Sequence, residues 1–595
     1  MHNFKVTCQV NKIDAHYTTS TPSDGITEIR YELRYDASVP SQIHTAASIP
    51  TIESPCICLH IEQKALGIAG CWNPNSGLRR NLTGDWISAS QINLSHSAPV
   101  LCFFDYNGQN CFTIALSEVS RDITSIAGVH EETGELYIDL MLPLSDLEEQ
   151  RPLSCRIDCR SLPFCSVVQE VSMWWDALLP DAPMPVPEIG RLPMYSTWYS
   201  YHQDMTDASL YNEYKQAVKM GMQAVIIDDG WQTTDNSRGY GYCGDWEPAV
   251  PKFPDFRAHV RQIHALGMKC LVWYSVPFVG EYSGIWSRFQ DMLLGFDSTL
   301  HAGILDPRYA QVREYLISTY EKAVTDWDLD GLKLDFIDSF RNYPETPAYH
   351  DGMDYREIQD AVYCLMIGIF RRLRKIKPDL LIEFRQTYIG PQMRRFGNIF
   401  RVADCPLSGI TNRVGITDLK LTSGASAVHS DMLMWHTEEK PEDIAIQLIN
   451  CIFGVLQISV KLDTLSAPQK KVLEHYLDFS IRYRKVLQEG DFAPQNPLAL
   501  YPVIHARSHD TCITAVYDPA RIAALPQDET LSEYWILNGC PASSLVLSFQ
   551  REGRYEVSVF DCMGDCTAQS TQTLSGLHEI CVPAGGSLSL HRCDG

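Results

Sequence analysis

A lysine and an aspartate, Lys333 and Asp335, stand two residues apart inside the apolar run GLKLDFI at 331–337. Charges in such a run are costly to bury unless each is paired or put to use. The arrangement recurs along the chain. One apolar run (223–230) ends in Asp228-Asp229-Gly230-Trp231. Others carry Glu383, Arg385 and Gln386 (380–386), Arg401 and Asp404 (399–404), and His429 and Asp431 (426–433). Aromatic residues join them: Trp198 in 193–200, and Trp273 and Tyr274 in 269–276. Carboxylates, cations and aromatic faces together suit cleavage of a glycosidic bond. That reaction needs two carboxyl groups, one ionised and one protonated. A cation beside the ionised one, such as Lys333, holds its pKa low. A metal hydrolase would want clustered histidines, but HxH and HExxH are absent from this part of the chain, as are paired CxxC motifs and a GxxxxGK[ST] phosphate loop. No metal or cofactor is expected.

These residues need elements to hold them. Eight short apolar runs (193–200, 223–230, 269–276, 331–337, 380–386, 399–404, 426–433 and 456–461) alternate with amphipathic stretches such as DASLYNEYKQAVKMG and RYAQVREYLISTYEKAV. This predicts a (β/α)8 TIM barrel over 190–488, with the charged residues at the C-terminal strand ends, where such barrels carry function. Residues 1–180 read as short alternating strands, an N-terminal β-sandwich domain. The proline-rich LLPDAPMPVPEIGRLP separates it from the barrel. Strand-like runs resume in 489–595 as a small antiparallel β domain of sandwich type.

Plainer roles compete for several residues. Lys333 and Asp335 could form a structural ion pair. Asp306 and Asp338 read as helix caps or turn formers, and Asp326, Asp328 and Asp330 as solvated turn residues. His202 and His436 read as surface or satisfied histidines, and His429, in HSD at a strand end, is open.

The chain has 595 residues, 45% of them apolar and 21% charged, which is globular. Its net charge of −24 argues against nucleic-acid or acidic-membrane partners. The N-terminus MHNFKVTCQVNKID lacks a signal-peptide pattern, and no run is long enough to span a membrane. The 20 scattered cysteines then read as reduced thiols and the setting as cytoplasmic.

Four segments resemble glycoside hydrolase family 36, the melibiase-type α-galactosidases: IIDDGW, GDWEPAVPKFPD, GLKLDF and FRVADCP. The resemblance extends to the domain order, which in that family is a β-supersandwich, a catalytic barrel and a small C-terminal β domain. It implies a retaining mechanism with Asp335 as nucleophile and Asp404 as general acid/base, the latter protonated at the outset and so raised in pKa. It further implies that Asp228 and Asp229 bind the 4- and 6-hydroxyls, that Lys333 binds a ring hydroxyl, and that Arg401 contacts the sugar or steers the acid. Trp198, Trp231, Trp246 and Trp273 become stacking candidates, and Arg385 and Asp431 further substrate-binding candidates. The family's Lys-Trp-Asp-Met-Asn-Arg is here Lys333-Leu334-Asp335-Phe336-Ile337-Asp338, its cysteine- and glycine-rich loop is EFRQTYIGPQMRRFG, and its Asp-Asn-Thr-Asp is Cys405-Pro406-Leu407-Ser408. The implied substrate is a small glycoside with a terminal α-galactosyl unit, and the enzyme could be a homo-oligomer. An α-N-acetylgalactosaminidase, an α-galactosyl transferase of the raffinose-synthase kind, and a non-catalytic carbohydrate-binding protein are the alternatives.

Overall fold

The computed structural model describes residues 5–11, 13–35, 56–87, 90–143 and 151–593. A parallel eight-stranded sheet holds the residues of interest. Its strands are β1 (Met194–Ser196), β2 (Ala224–Ile227), β3 (Lys269–Ser275), β4 (Gly331–Asp335), β5 (Leu381–Arg385), β6 (Ile399–Arg401), β7 (Ala427–His429) and β8 (Gln457–Ile458). Their order is β7-β6-β5-β4-β3-β2-β1-β8, every neighbouring pair parallel. Parallel bridges His429–Val455 and Leu433–Ile458 join the two ends, so the sheet closes on itself. Each strand lies inside one of the eight apolar runs of the sequence.

Helices follow the strands as the periodicity predicts. Asp207–Lys219 opens on a capping box in which the Thr206 hydroxyl accepts from the Ser209 N–H. Phe256–Ala265 is capped by Asp255. Ala310–Trp327 and Ile358–Ile376 flank β4, and Gly409–Thr422 and Pro441–Cys451 follow β6 and β7. One element went unread in the sequence. Between β3 and the Ala310–Trp327 helix, the strands Phe278–Gly280, Leu293–Asp297 and Ala302–Leu305 form a three-stranded antiparallel sheet.

The chain divides into two compact units. The first takes the described residues up to Ala182 together with Thr387–Arg395 and Asn496–Leu498. It contains a five-stranded and a six-stranded sheet, antiparallel between neighbouring strands, with Ile57, Leu59, Ile61, Phe103, Phe112, Ile114 and Ile138 buried in one cluster. The sequence missed the Phe164–Leu178 helix, whose Trp175 indole N–H donates to the Leu116 carbonyl at 2.8 Å. The second unit holds the barrel and an eight-stranded C-terminal sheet. That sheet is not wholly antiparallel as expected. Thr511–Val516 runs parallel to Glu533–Asn538, and Ile522–Ala524 parallel to Ser544–Phe560. Among the described residues no helix is long and apolar enough to cross a membrane.

Candidate active site

Alternate residues of a strand share one face, so each barrel strand presents an inward series. Low in the barrel this series is apolar: Met194, Ile226, Leu271, Leu381, Ile399 and Ala427 pack together. Two residues further along the same faces lie Ser196, Asp228, Trp273, Glu383, Arg401 and His429. Gly331 holds the low position on β4, where a Cβ would lie 2.4 Å from the Leu381 carbonyl oxygen and 2.7 Å from Leu271 Cγ. Lys333 and Asp335 follow it upward on the same face.

Asp335 ends β4 and is buried. Its Oδ1 accepts from Arg385 Nε at 2.8 Å and from the Phe336 N–H at 2.9 Å, and its Oδ2 accepts from Trp273 Nε1 at 3.0 Å. Burial by itself would raise this carboxyl. Arg385, then Lys333 and Arg401, outweigh it and hold the group far below the usual carboxylate range. Phe336 adopts φ +64°, a left-handed conformation that a bulky residue holds only when its surroundings impose it. Its ring packs on Tyr240 and Phe278, and the Arg385 guanidinium lies 5.3 Å from the ring centroid.

Arg401 is the hub of the opposite side. It is fully buried and reaches three carboxylates: Asp431 at 2.6 Å, Asp404 at 2.9 Å and Glu383 at 3.4 Å. Asp404 lies in the loop after β6, its side chain 53% exposed to the barrel mouth. Desolvation raises its pKa, but Arg401 and then Lys333 lower it, and the balance falls below the ordinary value. The expectation of a raised pKa is therefore corrected: the Arg401 guanidinium sits on this carboxylate. The Asp335 charge acts on Asp404 in the raising direction. Asp431 is completely buried, and burial raises its pKa. Besides Arg401 it accepts from Tyr199 Oη at 3.0 Å and the Cys405 N–H at 2.7 Å. It thus ties the loop that carries Asp404 to the hub, and its oxygens serve protein donors.

Lys333 pairs with Asp228 Oδ2 at 2.7 Å, and its charge also lowers the Asp335 carboxyl. Asp229, beside it, faces other donors: Gln203 Nε2 at 2.8 Å and Gln232 Nε2 at 2.7 Å. Burial raises its carboxyl to about 6, against the pull of the two amides. His429 is a core residue. Its Nε2 is 2.8 Å from the Gly190 carbonyl and its Nδ1 3.0 Å from Gln457 Nε2, and burial lowers its pKa to about 3, so it is neutral. Asp330, expected on a solvated turn, is buried and accepts from Lys269, His264 and the Cys270 N–H.

The tryptophans divide differently from expectation. Trp231 is completely buried, donates to the Trp273 carbonyl at 2.9 Å, and packs among Trp246, Phe256, Tyr274 and Trp327. Trp246 is buried in the same cluster. Trp231 faces Phe256 and Trp327 of the helices, and Trp246 packs on Trp273 and Tyr274 of β3, so both rings are covered by other aromatic side chains. Trp273 acts on Asp335 through its N–H. Trp198 remains next to the mouth, with Arg238 5.1 Å from its ring centroid. Tyr199 and Tyr240 carried no signal in the sequence. Tyr240 stacks on Trp273, and its hydroxyl is raised by burial and by the Asp229 and Asp335 charges. Thus Asp228, Asp335, Asp404, Lys333, Arg385 and Arg401 form one electrostatically linked cluster, and Trp231 and Trp246 stand outside it.

The family model described as Melibiase matches residues 190–387, which include Asp228, Asp229, Lys333, Asp335 and Arg385. Alpha-galactosidase 2 of Pediococcus pentosaceus is 28% identical over 196 residues, 32% of this chain and 27% of that protein. Alpha-galactosidase Mel36A of Lactobacillus acidophilus is 23% identical over 273 residues, 42% of this chain and 34% of that protein. The matched part thus spans about a quarter to a third of these curated relatives. The crystal structure of an α-galactosidase from Lactobacillus brevis shares the fold with a TM-score of 0.65 at 14% identity, covering 100% of this chain and 85% of that one. That of the family 36 α-galactosidase AgaA from Geobacillus stearothermophilus in complex with raffinose gives 0.62 at 12%, covering 100% and 88%. The matched domain, the relatives and the shared fold together support a protein of the melibiase type, similar to the family 36 α-galactosidases.

Proposed function

We propose that the protein is a retaining α-galactosidase that removes terminal α-galactosyl units from small glycosides by double displacement. The observation that carries this reading is Asp335, a carboxylate kept ionised by Arg385, Lys333 and Arg401 and held by two further donors, in one cluster with a mouth-exposed Asp404. Asp335 Oδ attacks the anomeric carbon as its bond to the leaving oxygen breaks, and Asp404 delivers a proton to that oxygen, a proton it must first take up against the pull of Arg401 and Lys333. The glycosyl ester that forms carries no charge at Asp335. The influence that raises Asp404 then disappears, and Asp404 becomes the base that takes a proton from water in the second step. Asp228, oriented by Lys333, and Asp229, oriented by Gln203 and Gln232, supply charged acceptors for sugar hydroxyls. Asp431 and Glu383 position Arg401 and through it Asp404. The described cysteines are free thiols, in keeping with a reducing, cytoplasmic setting.

The test compares release of p-nitrophenol from the α-galactoside, N-acetyl-α-galactosaminide and α-glucoside, with proton NMR of the first sugar formed. The galactoside should be fastest, and the sugar should emerge as the α-anomer. A β-anomer as first product rejects the retaining mechanism, and a faster glucoside rejects the sugar assignment.

A further inference from the structure

Asp404 has two opposite duties. It must carry a proton when the leaving oxygen departs and must have lost it when water attacks. A carboxylate that had a buried arginine to itself would resist the first duty, because an opposite charge at hydrogen-bond distance lowers its pKa by about one to three units. Arg401 does not belong to Asp404 alone. Its Nη1 meets Asp431 Oδ1 at 2.6 Å, its Nε meets Glu383 Oε1 at 3.4 Å, and its Nη2 meets Asp404 Oδ1 at 2.9 Å. Asp431 and Glu383 are completely buried, whereas the Asp404 side chain is 53% exposed. The carboxylate nearest the cation is thus one that cannot turn to solvent, and one positive charge is divided among three negative ones.

Asp431 is built to keep both its charge and its place. Besides Arg401, its Oδ2 accepts from the Cys405 N–H at 2.7 Å and from Tyr199 Oη at 3.0 Å. Three donors, one of them a guanidinium, favour the ionised form and oppose the upward push of burial. Asn412 clamps the backbone from both sides: the Asp431 N–H donates to Asn412 Oδ1 at 3.0 Å, and Asn412 Nδ2 donates to the Asp431 carbonyl at 3.2 Å. The Asp404 charge acts on Asp431 in the raising direction, and Coulomb repulsion is mutual. Cys405 is the residue next to Asp404, so the same carboxylate also holds the loop when protonation weakens the contact of Asp404 with Arg401.

We propose that Asp431 is the positioning residue that lets Asp404 exchange its proton: it occupies Arg401 from the buried side, so that the guanidinium cannot lock Asp404 into a permanent ion pair, and it keeps the arginine and the loop still while the proton comes and goes. The inference rests on the reading of Asp404 as acid and base. Glu383 shares the guanidinium from β5 in the same sense.

The test is the pH dependence of kcat/KM on raffinose in the wild type and Asp431→Asn, a nearly isosteric exchange that keeps an oxygen for the Cys405 N–H. Asp404 must be protonated to act first, so activity is present below its pKa and lost as pH rises through it. Asp431→Asn removes a negative charge, and the alkaline limb should move to lower pH by about one unit. The other charges that face Asp404, from Lys333, Asp335, Glu383, Arg385 and Arg401, are the same in both proteins, and the Tyr199 hydroxyl and Cys405 thiol, pushed up by burial, stay neutral. A loss that is uniform in pH, with the limb unmoved, would mark a merely structural residue and overturn the proposal. If Asp431→Asn does not fold, Glu383→Gln asks the same question from the other buried partner; the same shift is expected, and a stationary limb overturns the sharing of Arg401. Carboxyl-carbon NMR of labelled aspartate, with Asp404 assigned by its absence in Asp404→Asn, needs no turnover. The Asp404 midpoint should fall in Asp431→Asn. A fall in a protein that cleaves no α-galactoside rejects the functional reading and leaves the action of Asp431 on Asp404 standing, and an unmoved midpoint overturns that action whatever the activity.

Discussion

Strand β4 is bracketed by two aspartates, Asp330 just before it and Asp335 at its end, and the two show how the carboxylate proposed as nucleophile differs from a structural one. Both are buried, and both are held below the ordinary carboxylate range against the upward push of burial. Asp330 is satisfied by Lys269 at 2.8 Å, His264 at 2.7 Å and the Cys270 N–H at 3.0 Å. Those partners come from β3 and the helix before it, so the cluster sews neighbouring elements together at the lower end of the barrel. Asp335 is held instead by an arginine, an indole and the N–H of its own strained successor, at the end that opens to solvent. Equal burial and similar pKa direction thus accompany different surroundings. What differs is whether the partners continue into the packing or surround a space.

The sharpest break of this comparison is Asp335→Ala against Asp330→Ala. Asp335→Ala should lower kcat on aryl α-galactosides by on the order of 10⁴–10⁶-fold while the melting curve stays near that of the wild type. A variant that melts early and retains turnover would reverse the two assignments. Asp404→Ala should follow, with losses of about 10²–10⁴-fold on raffinose and far smaller ones on p-nitrophenyl α-galactoside, whose leaving group needs little protonation. Equal losses on both substrates contradict its role as the acid.

Asp330→Ala should cost about 2–3 kcal/mol of stability, discounted because Lys269 is half exposed, with kcat of the folded protein preserved. Thermal melts beside kcat at low temperature measure both. The subtlest effect concerns Arg385. Asp335 must be ionised to attack, so activity is present above its pKa and lost as pH falls through it. Arg385→Gln removes the strongest force holding that pKa down, and the acid limb of the kcat/KM profile should move to higher pH by about one to three units. A stationary acid limb would show that Lys333 and Arg401 suffice.

The barrel was legible because its strands are apolar in unbroken runs and its chemistry-bearing residues interrupt them at one end. Asp228, Lys333, Asp335 and Arg401 could be picked out by that interruption alone. Direction and partnership were not legible. Lys333 reads as the partner of Asp335 because it is two residues away, yet the end of β2 also puts Asp228 Oδ2 2.7 Å from its ammonium. Trp231 follows two acidic residues at a strand end, yet its indole turns into an aromatic cluster whose other members, Phe256 and Trp327, lie on distant helices. The arginine that grips Asp335 comes from β5, 50 residues on, and only the parallel register of β4 and β5 makes them neighbours. The three-stranded insertion after β3 escaped notice because strands of three to five residues carry too little periodicity to stand out.

Gly331 sits below Lys333 and Asp335 on the strand that carries both. With a backbone oxygen and a leucine already where its Cβ would be, the position admits no other residue without moving β5 or β3. That position is therefore closed to mutational exploration. A lineage, or a laboratory selection, that seeks a new glycoside must work above it, around Asp404 and Asp431, on a register locked beneath them.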